Sequence, residues 1–422
     1  MKKLSVLFVA GLAVLNGCTS QEDPIPPFEP AERATETTYT RSVADAIAIA
    51  DAFLDAGNDK AESRAGRTPK VAAILGATSR SESDTLLYSV NYGEDDGFVI
   101  VSAKATPEPV LAYVEKGSYN GETTQNPGFE GFIAAARTYS ESFVGFDTTF
   151  KRPYTIVKDI FRPAQVDWGQ NYPEGLLFPN GVCGCAVTAI AEACAILEKP
   201  ASVALTYPSA SRSTLTLEWS EIKKHVQSSK TQASHLTTCS AEEEAHFDLA
   251  TLCRHLDRLF YESSGSGSEP ASNYTIDEVY NTLVRLFGKD KVGPRTSLGT
   301  NYEALFDKLY NNKCVALMFG STEDYSQNHV WLCEAGRYYE LHTLRYDING
   351  RERVNRSYYF YYNWGENGDY NGYFLGGEFN TGKGIAEEEL PTPLNPFWGL
   401  GGLSRADNPD YGTNVTYIII YK

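Results

Sequence analysis

Residues 185 to 197 read Cys-Ala-Val-Thr-Ala-Ile-Ala-Glu-Ala-Cys-Ala-Ile-Leu, a helix-forming run with almost no polar surface, closed by Lys199-Pro200. A helix of that kind is stable only when protein surrounds it, so the chain must fold as a body with this helix near its centre. The 422 residues suffice for two or three domains with a sizeable core. Cys185 opens the helix directly after Gly184, where the positive end of the helix dipole favours a thiolate and a glycine permits a sharp entry. The helix pattern alone equally allows Cys185 to be a small buried residue, the reading that suits Cys194.

Upstream, residues 40 to 150 predict a small α+β unit, separate from the downstream body. A helix over 41 to 57 stops at Gly57, strands over 86 to 92 and 98 to 103 form a hairpin through Gly93-Glu94-Asp95-Asp96-Gly97, a short strand covers 110 to 114, and a helix covers 129 to 143. Downstream, loop chemistry around Asp167-Trp168-Gly169-Gln170-Asn171-Tyr172-Pro173 precedes the apolar helix. Residues 205 to 240 are polar without a clear period, 243 to 261 is an amphipathic helix, and a Ser-Gly run spans 263 to 268. From Cys314 on, strands are expected over 314 to 320, 329 to 334, 358 to 364, 372 to 375 and 416 to 421. Helices first and strands afterwards favour an α+β body over a doubly wound sheet.

A thiol nucleophile needs an imidazole, a group that orients it, and donors for the oxyanion. His329 heads the apolar strand Val330-Trp331-Leu332-Cys333, whereas the other five histidines sit in polar or amphipathic contexts. Alone, His329 fits a structural histidine as well as a base. Asn363 ends the aromatic strand before Trp364-Gly365; its amide is able to accept from an imidazole under the cover of Trp364, and a turn residue is the other reading. The cysteines form no CxxC pair matched by a second pair or a His pair, so no structural zinc site is expected. The formal charge of −17, from 37 Lys and Arg against 54 Asp and Glu, argues against nucleic acid as a partner.

Gln170 lies 15 residues before Cys185, Gly184-Cys185-Ala186-Val187-Thr188-Ala189 surrounds the cysteine, and Asn363-Trp364-Gly365 comes after the strand headed by His329. With the Ser-Gly run between Cys and His and Asn371-Gly372-Tyr373-Phe374 after the Asn, this ordered set resembles the streptopain-type cysteine peptidases, the C10 family, over most of residues 160 to 422. Gly97-Phe98-Val99-Ile100-Val101-Ser102 and Pro109-Val110-Leu111-Ala112-Tyr113 resemble that family's inhibitory propeptide. The resemblance implies a papain-like cysteine protease fold over 151 to 422, with a helical part and an antiparallel β part, behind a small α+β propeptide over 40 to 150. It implies Cys185 as nucleophile, His329 as base, Asn363 as orienting group, Trp364 as support, and Gln170 with the Cys185 N–H as oxyanion donors, with no cofactor or metal. Asn328 and the region of Ser266 would line the substrate cleft. The substrates would be proteins or peptides, the propeptide an intramolecular inhibitor, and cleavage would fall near 150 to 160, with Lys151-Arg152 as a candidate site. Two positions depart from the pattern: Asn328 stands where the family has Gly, and Glu366 where it has a second Trp, so substrate preference does not carry over. Cys183 would be simply buried or part of a regulatory disulfide.

Met1-Lys2-Lys3 and the apolar run from Leu4 to Leu15 match a secretory signal over residues 1 to 17, too short for a span of about 20 residues. Leu15-Asn16-Gly17-Cys18 resembles the bacterial lipobox, which implies lipidation at Cys18 and an acidic, Pro-rich tether over 18 to 39. Ser20-Gln21-Glu22-Asp23 resembles the export signal of Bacteroidetes surface lipoproteins. The expected product is an exported lipoprotein of the outer membrane, with seven cysteines left after Cys18 and thus an unpaired thiol if all pairing is internal. Two other functions use the same chain: a non-catalytic surface module that keeps the fold for binding, and acyl transfer to amines in place of water.

Overall fold

Helix α1 (Val43–Ala56) begins at Ser42, whose side chain accepts from the Asp45 N–H while the Asp45 carboxylate accepts from the Ser42 N–H. A meander comes next: β1 (Lys70–Leu75), β2 (Thr85–Asn91), β3 (Phe98–Ser102) and β4 (Val110–Val114). Helix α2 (Pro127–Ser142) starts where Asn126 Oδ1 accepts from the Phe129 N–H at 2.9 Å, with Pro127 in the first helical position where its missing N–H costs nothing. Then come β5 (Tyr154–Ile160), α3 (Cys185–Leu197), the hairpin β6 (Ser202–Ser209) and β7 (Arg212–Thr216), and helices α4 (Trp219–His225), α5 (Ala241–Ser264) and α6 (Ile276–Phe287). The chain closes with β8 (Thr296–Ser297), α7 (Tyr302–Asn311), β9 (Cys314–Ser321), β10 (Asn328–Tyr346), β11 (Glu352–Asn363), β12 (Gly372–Leu375) and β13 (Thr416–Tyr421).

This computed structural model describes residues 40–57, 68–75, 85–104, 106, 108–142, 154–160, 166–209, 212–226, 241–264, 274–298, 302–321, 328–346, 352–376 and 415–422. The expected signal segment, Cys18, the tether, Lys151-Arg152 and Ser266 lie outside the described residues.

The strands join in one sheet in the order β1-β2-β3-β4-β12-β11-β10-β9-β13-β8, with β5 on β10. Every pairing in it is antiparallel, which is the α+β architecture expected and excludes the doubly wound alternative. Strand β10 continues well past the expected end at Glu334, because β5 and β11 flank its second half and satisfy the backbone there.

Successive side chains on a strand point to opposite faces, and here both faces are buried. Val315, Leu317, Val330, Leu332, Ile418 and Ile420 enter a core built around α3, together with Leu249, Leu256 and Leu283 of the helices. Ala316, Met318, Trp331, Cys333, Tyr417 and Ile419 enter a second core that includes Phe53 of α1, Phe98 of β3 and Phe129 and Phe132 of α2. The upstream segment thus covers one face of the downstream sheet together with α7, whose Leu305, Phe306 and Leu309 enter the same core. It is also joined edge to edge: β4 pairs with β12 through Val114↔Gly372, Tyr113↔Tyr373 and Ala112↔Phe374. Glycine at 372 is what lets the two backbones approach, since a Cβ there would run into the Tyr113 carbonyl. The segment 40 to 150 is expected from the sequence to be a unit separate from the downstream body; its described residues share a sheet and a core with that body.

Candidate active site

Cys185 is the first residue of α3, and Gly184 before it has φ 88° and ψ 154°, a backbone that side-chain-bearing residues rarely adopt. One turn on, Thr188 Oγ1 donates to the carbonyls of Gly169 (3.0 Å) and Gly184 (3.1 Å). Glu192 accepts from the Trp168 N–H at 3.1 Å, and the Cys183 N–H donates to the Gln170 carbonyl at 2.8 Å. These bonds fasten the loop that carries Gln170 to the head of the central helix.

The Cys185 thiol is half-buried and lies within hydrogen-bond reach of the backbone N–H groups of Val330 and Ala186. It therefore meets β10 one residue from His329. Shielding from water pushes the thiol up to about 11, against the pull of those two N–H groups and with a further push from the Glu366 and Cys183 charges.

Strand alternation turns His329 to the face opposite Val330, the one covered by the upstream segment. Its ring lies beside Trp331 (centroids 5.8 Å apart) and Trp364 (6.3 Å). Gly128, in the first turn of α2, packs against the same pair: a Cβ there would stand 2.7 Å from Trp364 Cζ3 and 2.8 Å from His329 Cδ2. The imidazole donates to the Trp364 backbone carbonyl, and Nε2 has no partner among the described residues. Burial pushes the imidazole down to about 4, with the Trp364 carbonyl pulling it up. Among the described residues no hydrogen bond joins Cys185 to His329. At neutral pH both groups are uncharged and disengaged.

Asn363 does not hold the imidazole here. It is fully buried; its Nδ2 donates to the Val166 carbonyl at 2.7 Å, and its Oδ1 accepts from the Gly365 N–H (3.2 Å) and Asn371 Nδ2 (2.9 Å). Asn371 in turn donates to Asp167 Oδ1 (3.2 Å) and accepts from the Trp364 N–H (2.9 Å). Asn363 thus anchors the loop 364–371, and the carbonyl of Trp364 takes the place on the ring that was expected for its amide. The loop is tight, with positive φ at Gly365, Asn367, Gly368 and Tyr370.

Gln170 is tied through its carbonyl to the Cys183 N–H, two residues before Cys185, and its Nε2 is engaged, donating to Glu366 Oε1 at 2.5 Å. Asn328 pairs through its backbone with Ser321 at the start of β10. Cys183 is buried, a free thiol 3.2 Å from Thr188 Oγ1; Cys185, Cys194, Cys253, Cys314 and Cys333 are free as well. Among the described residues no three His, Cys, Asp or Glu side chains are grouped as metal ligands, and no helix is long and apolar enough to cross a membrane. Sequence reasoning passed over Gly128 and Val166: both act on the site through their backbone, and a backbone contact leaves no residue-type signature.

Residues 168–374 match the model of the Peptidase C10 family, and residues 39–139 match that of the Spi protease inhibitor. The chain belongs to the Peptidase C10 family. It is a cysteine peptidase with an inhibitor propeptide, a zymogen. A solved prointerpain A fragment of Prevotella intermedia is 16% identical, with a TM-score of 0.50, covering 84% of this chain and 99% of its own, a likeness in fold. Active interpain A from the same organism is 20% identical over 52% of this chain and 87% of its own, with a TM-score of 0.34. No curated protein matches the sequence significantly. In this C10 peptidase the propeptide is the segment from α1 to α2, and its first turn of α2 rests on His329 and Trp364.

Proposed function

We propose that the chain is a secreted, lipid-anchored cysteine endopeptidase, held latent until the propeptide is removed, in which Cys185 and His329 form the catalytic pair. The carrying observation is the contact of Gly128 with His329 and Trp364: the inhibitor segment touches the base itself and keeps it buried, neutral and away from the thiol. Phe129 stacks on Tyr370 (4.4 Å), Asn126 Nδ2 donates to the Asp369 carbonyl (3.2 Å) and Lys116 pairs with Asp167 (3.6 Å), so the propeptide also fixes the loop behind the base.

Loss of the propeptide exposes His329, removes the main cause of its lowered basicity and frees the head of β10 to turn the ring from the propeptide face toward Cys185. The imidazole then takes the Cys185 proton, the thiolate attacks the peptide carbonyl, and His329 returns the proton to the leaving amine. Water, activated by the same imidazole, hydrolyses the acyl-enzyme. Gln170 Nε2 and the Cys185 N–H hold the oxyanion, each donor contributing about 2.7 to 4 kcal/mol. Asn363 positions the imidazole, through its loop in the zymogen and by accepting from the ring in the active enzyme, under the cover of Trp364.

Within the expected cleavage window, residues 154–160 are strand β5 paired to β10, so a cut before Tyr154 would leave the peptidase sheet whole. Lipidation at Cys18 and placement at the outer membrane rest on the lipobox resemblance. Incorporation of a fatty-acid probe that is lost in Cys18→Ala tests the anchor. For the enzyme, casein hydrolysis by the full chain before and after limited proteolysis is the test. The expected result is a large rise on cleavage that Cys185→Ala abolishes; equal specific activity of the two forms would overturn the latency.

A further inference from the structure

Glu366 is a carboxylate at a place where thiol-peptidase chemistry disfavours one, since both the attacking thiolate and the tetrahedral intermediate are negative. It is held there by a closed set of contacts. Its Oε1 accepts from Gln170 Nε2 at 2.5 Å, the Asp369 N–H donates to its carbonyl at 3.0 Å, and the next residue, Asn367, donates its N–H to Trp168 O at 2.8 Å. The side chain is half-buried and its charge reaches Cys185. Among the described residues no cation balances it. The charged and titratable groups around the site are Asp369 on its own loop, Cys185 and Cys183 at the head of α3, Asp167 and Glu174 on the Gln170 segment, and His329, which burial keeps neutral; the cation of the neighbourhood, Lys116, pairs with Asp167.

We propose that Glu366 is a positioning residue that works as a neutral carboxylic acid: it orients the Gln170 carboxamide toward the oxyanion, and its ionisation turns the site down. The inference rests on Gln170 and Cys185 being the oxyanion donor and the nucleophile. As the acid, Glu366 still offers its carbonyl oxygen to one N–H of Gln170 and leaves the other for the oxyanion. The acceptor also decides which end of the carboxamide faces the cleft, because an oxygen attracts the NH2 end. As the carboxylate it makes the same bond but sets a negative charge beside the thiolate and the oxyanion. Burial pushes Glu366 up to about 7, the Gln170 bond pulling down and Asp369 pushing up, so the change falls in the neutral range. Activity carried by the protonated form is therefore full below that range and lost as pH rises through it.

The test uses the full chain, activated by limited proteolysis, as wild type, Glu366→Gln, Glu366→Ala and Cys185→Ala, with kcat and KM for a fluorogenic peptide read across the neutral range. Wild type should lose kcat as pH rises through about 7. Glu366→Gln keeps the acceptor without the charge, so its kcat should persist to alkaline pH, about tenfold above wild type there. Glu366→Ala loses the acceptor and should fall about tenfold or more in kcat at every pH, with KM little changed. On the uncut chain, Cys185 in Glu366→Gln should be alkylated faster than in wild type at neutral pH. The proposal is overturned if Glu366→Gln follows the wild-type profile and alkylation rate, or if it falls together with Glu366→Ala. Activity surviving in Cys185→Ala would instead overturn the underlying assignment of the nucleophile.

Discussion

Replacing Gly128 by alanine places a methyl group inside the contact between the propeptide and the base. Built on the present backbone, the new Cβ lies 2.7 Å from Trp364 Cζ3, 2.8 Å from His329 Cδ2, and closer still to Trp364 Cε3. Carbon atoms in contact sit about 3.5 to 4.0 Å apart, so the first turn of α2 must lift by roughly 1 Å. Both obstacles are buried rings packed on Trp331, His329 stacked and Trp364 tilted against it, with no free end to swing away. Overpacking of this kind costs about 1 to 3 kcal/mol, and the better helix propensity of alanine returns up to about 1 kcal/mol. The net loss of about 1.4 kcal/mol corresponds to a tenfold larger population with α2 undocked. The assay is peptide hydrolysis by uncut full-length protein, with Thr138→Ala on the exposed side of α2 as the control. Gly128→Ala should raise the zymogen's residual activity about tenfold and the control should not. An unchanged residual activity together with an unchanged or higher melting temperature would refute the idea that this contact enforces latency.

Other variants report on separate parts of the account. Gln170→Ala should lower kcat of the processed enzyme by about 10² to 10³ with little change in KM. Asn363→Ala strips Val166, Gly365 and Asn371 of a buried partner, and chemical denaturation should show a loss of about 2 to 4 kcal/mol. Glu108, wholly buried in the propeptide beside the Ser357 hydroxyl of β11, is pushed by that burial from 4.5 to about 7. The folded chain prefers its protonated form, so its stabilisation is complete below 4.5 and is lost as pH rises through 7, by about 3 kcal/mol in all. Melting temperature against pH should fall over that window in wild type and stay flatter in Glu108→Gln.

What the sequence disclosed depended on whether a residue's role is local. The apolar run after Cys185 could only be a central helix, and the hairpin around Gly93 to Gly97 and the short strands at 372 to 375 and 416 to 421 carry their own turn and alternation signals. Helix α6 was legible and missed: Thr275 and Glu278 form a capping box and Gly288 ends it. Strand β5 was not legible, because its residues are mostly half-exposed and only β10 defines it. At the site, residue types admitted Cys185, His329 and Asn363 as candidates and the family resemblance selected them and added Gln170, yet which partner each one has is a long-range matter. Asn363 meets Val166 across 197 residues of chain, Gln170 meets Glu366 across 196, and His329 meets the propeptide through a glycine without a side chain.

The most direct test of the account is the site of covalent labelling by a peptidyl thiol-reactive electrophile, mapped by mass spectrometry on the full chain before and after limited proteolysis. The account predicts weak labelling before the cut, strong labelling after it, and modification at Cys185 alone, with Cys183 two residues away untouched. Label on another cysteine, or hydrolysis that persists in Cys185→Ala, would contradict it.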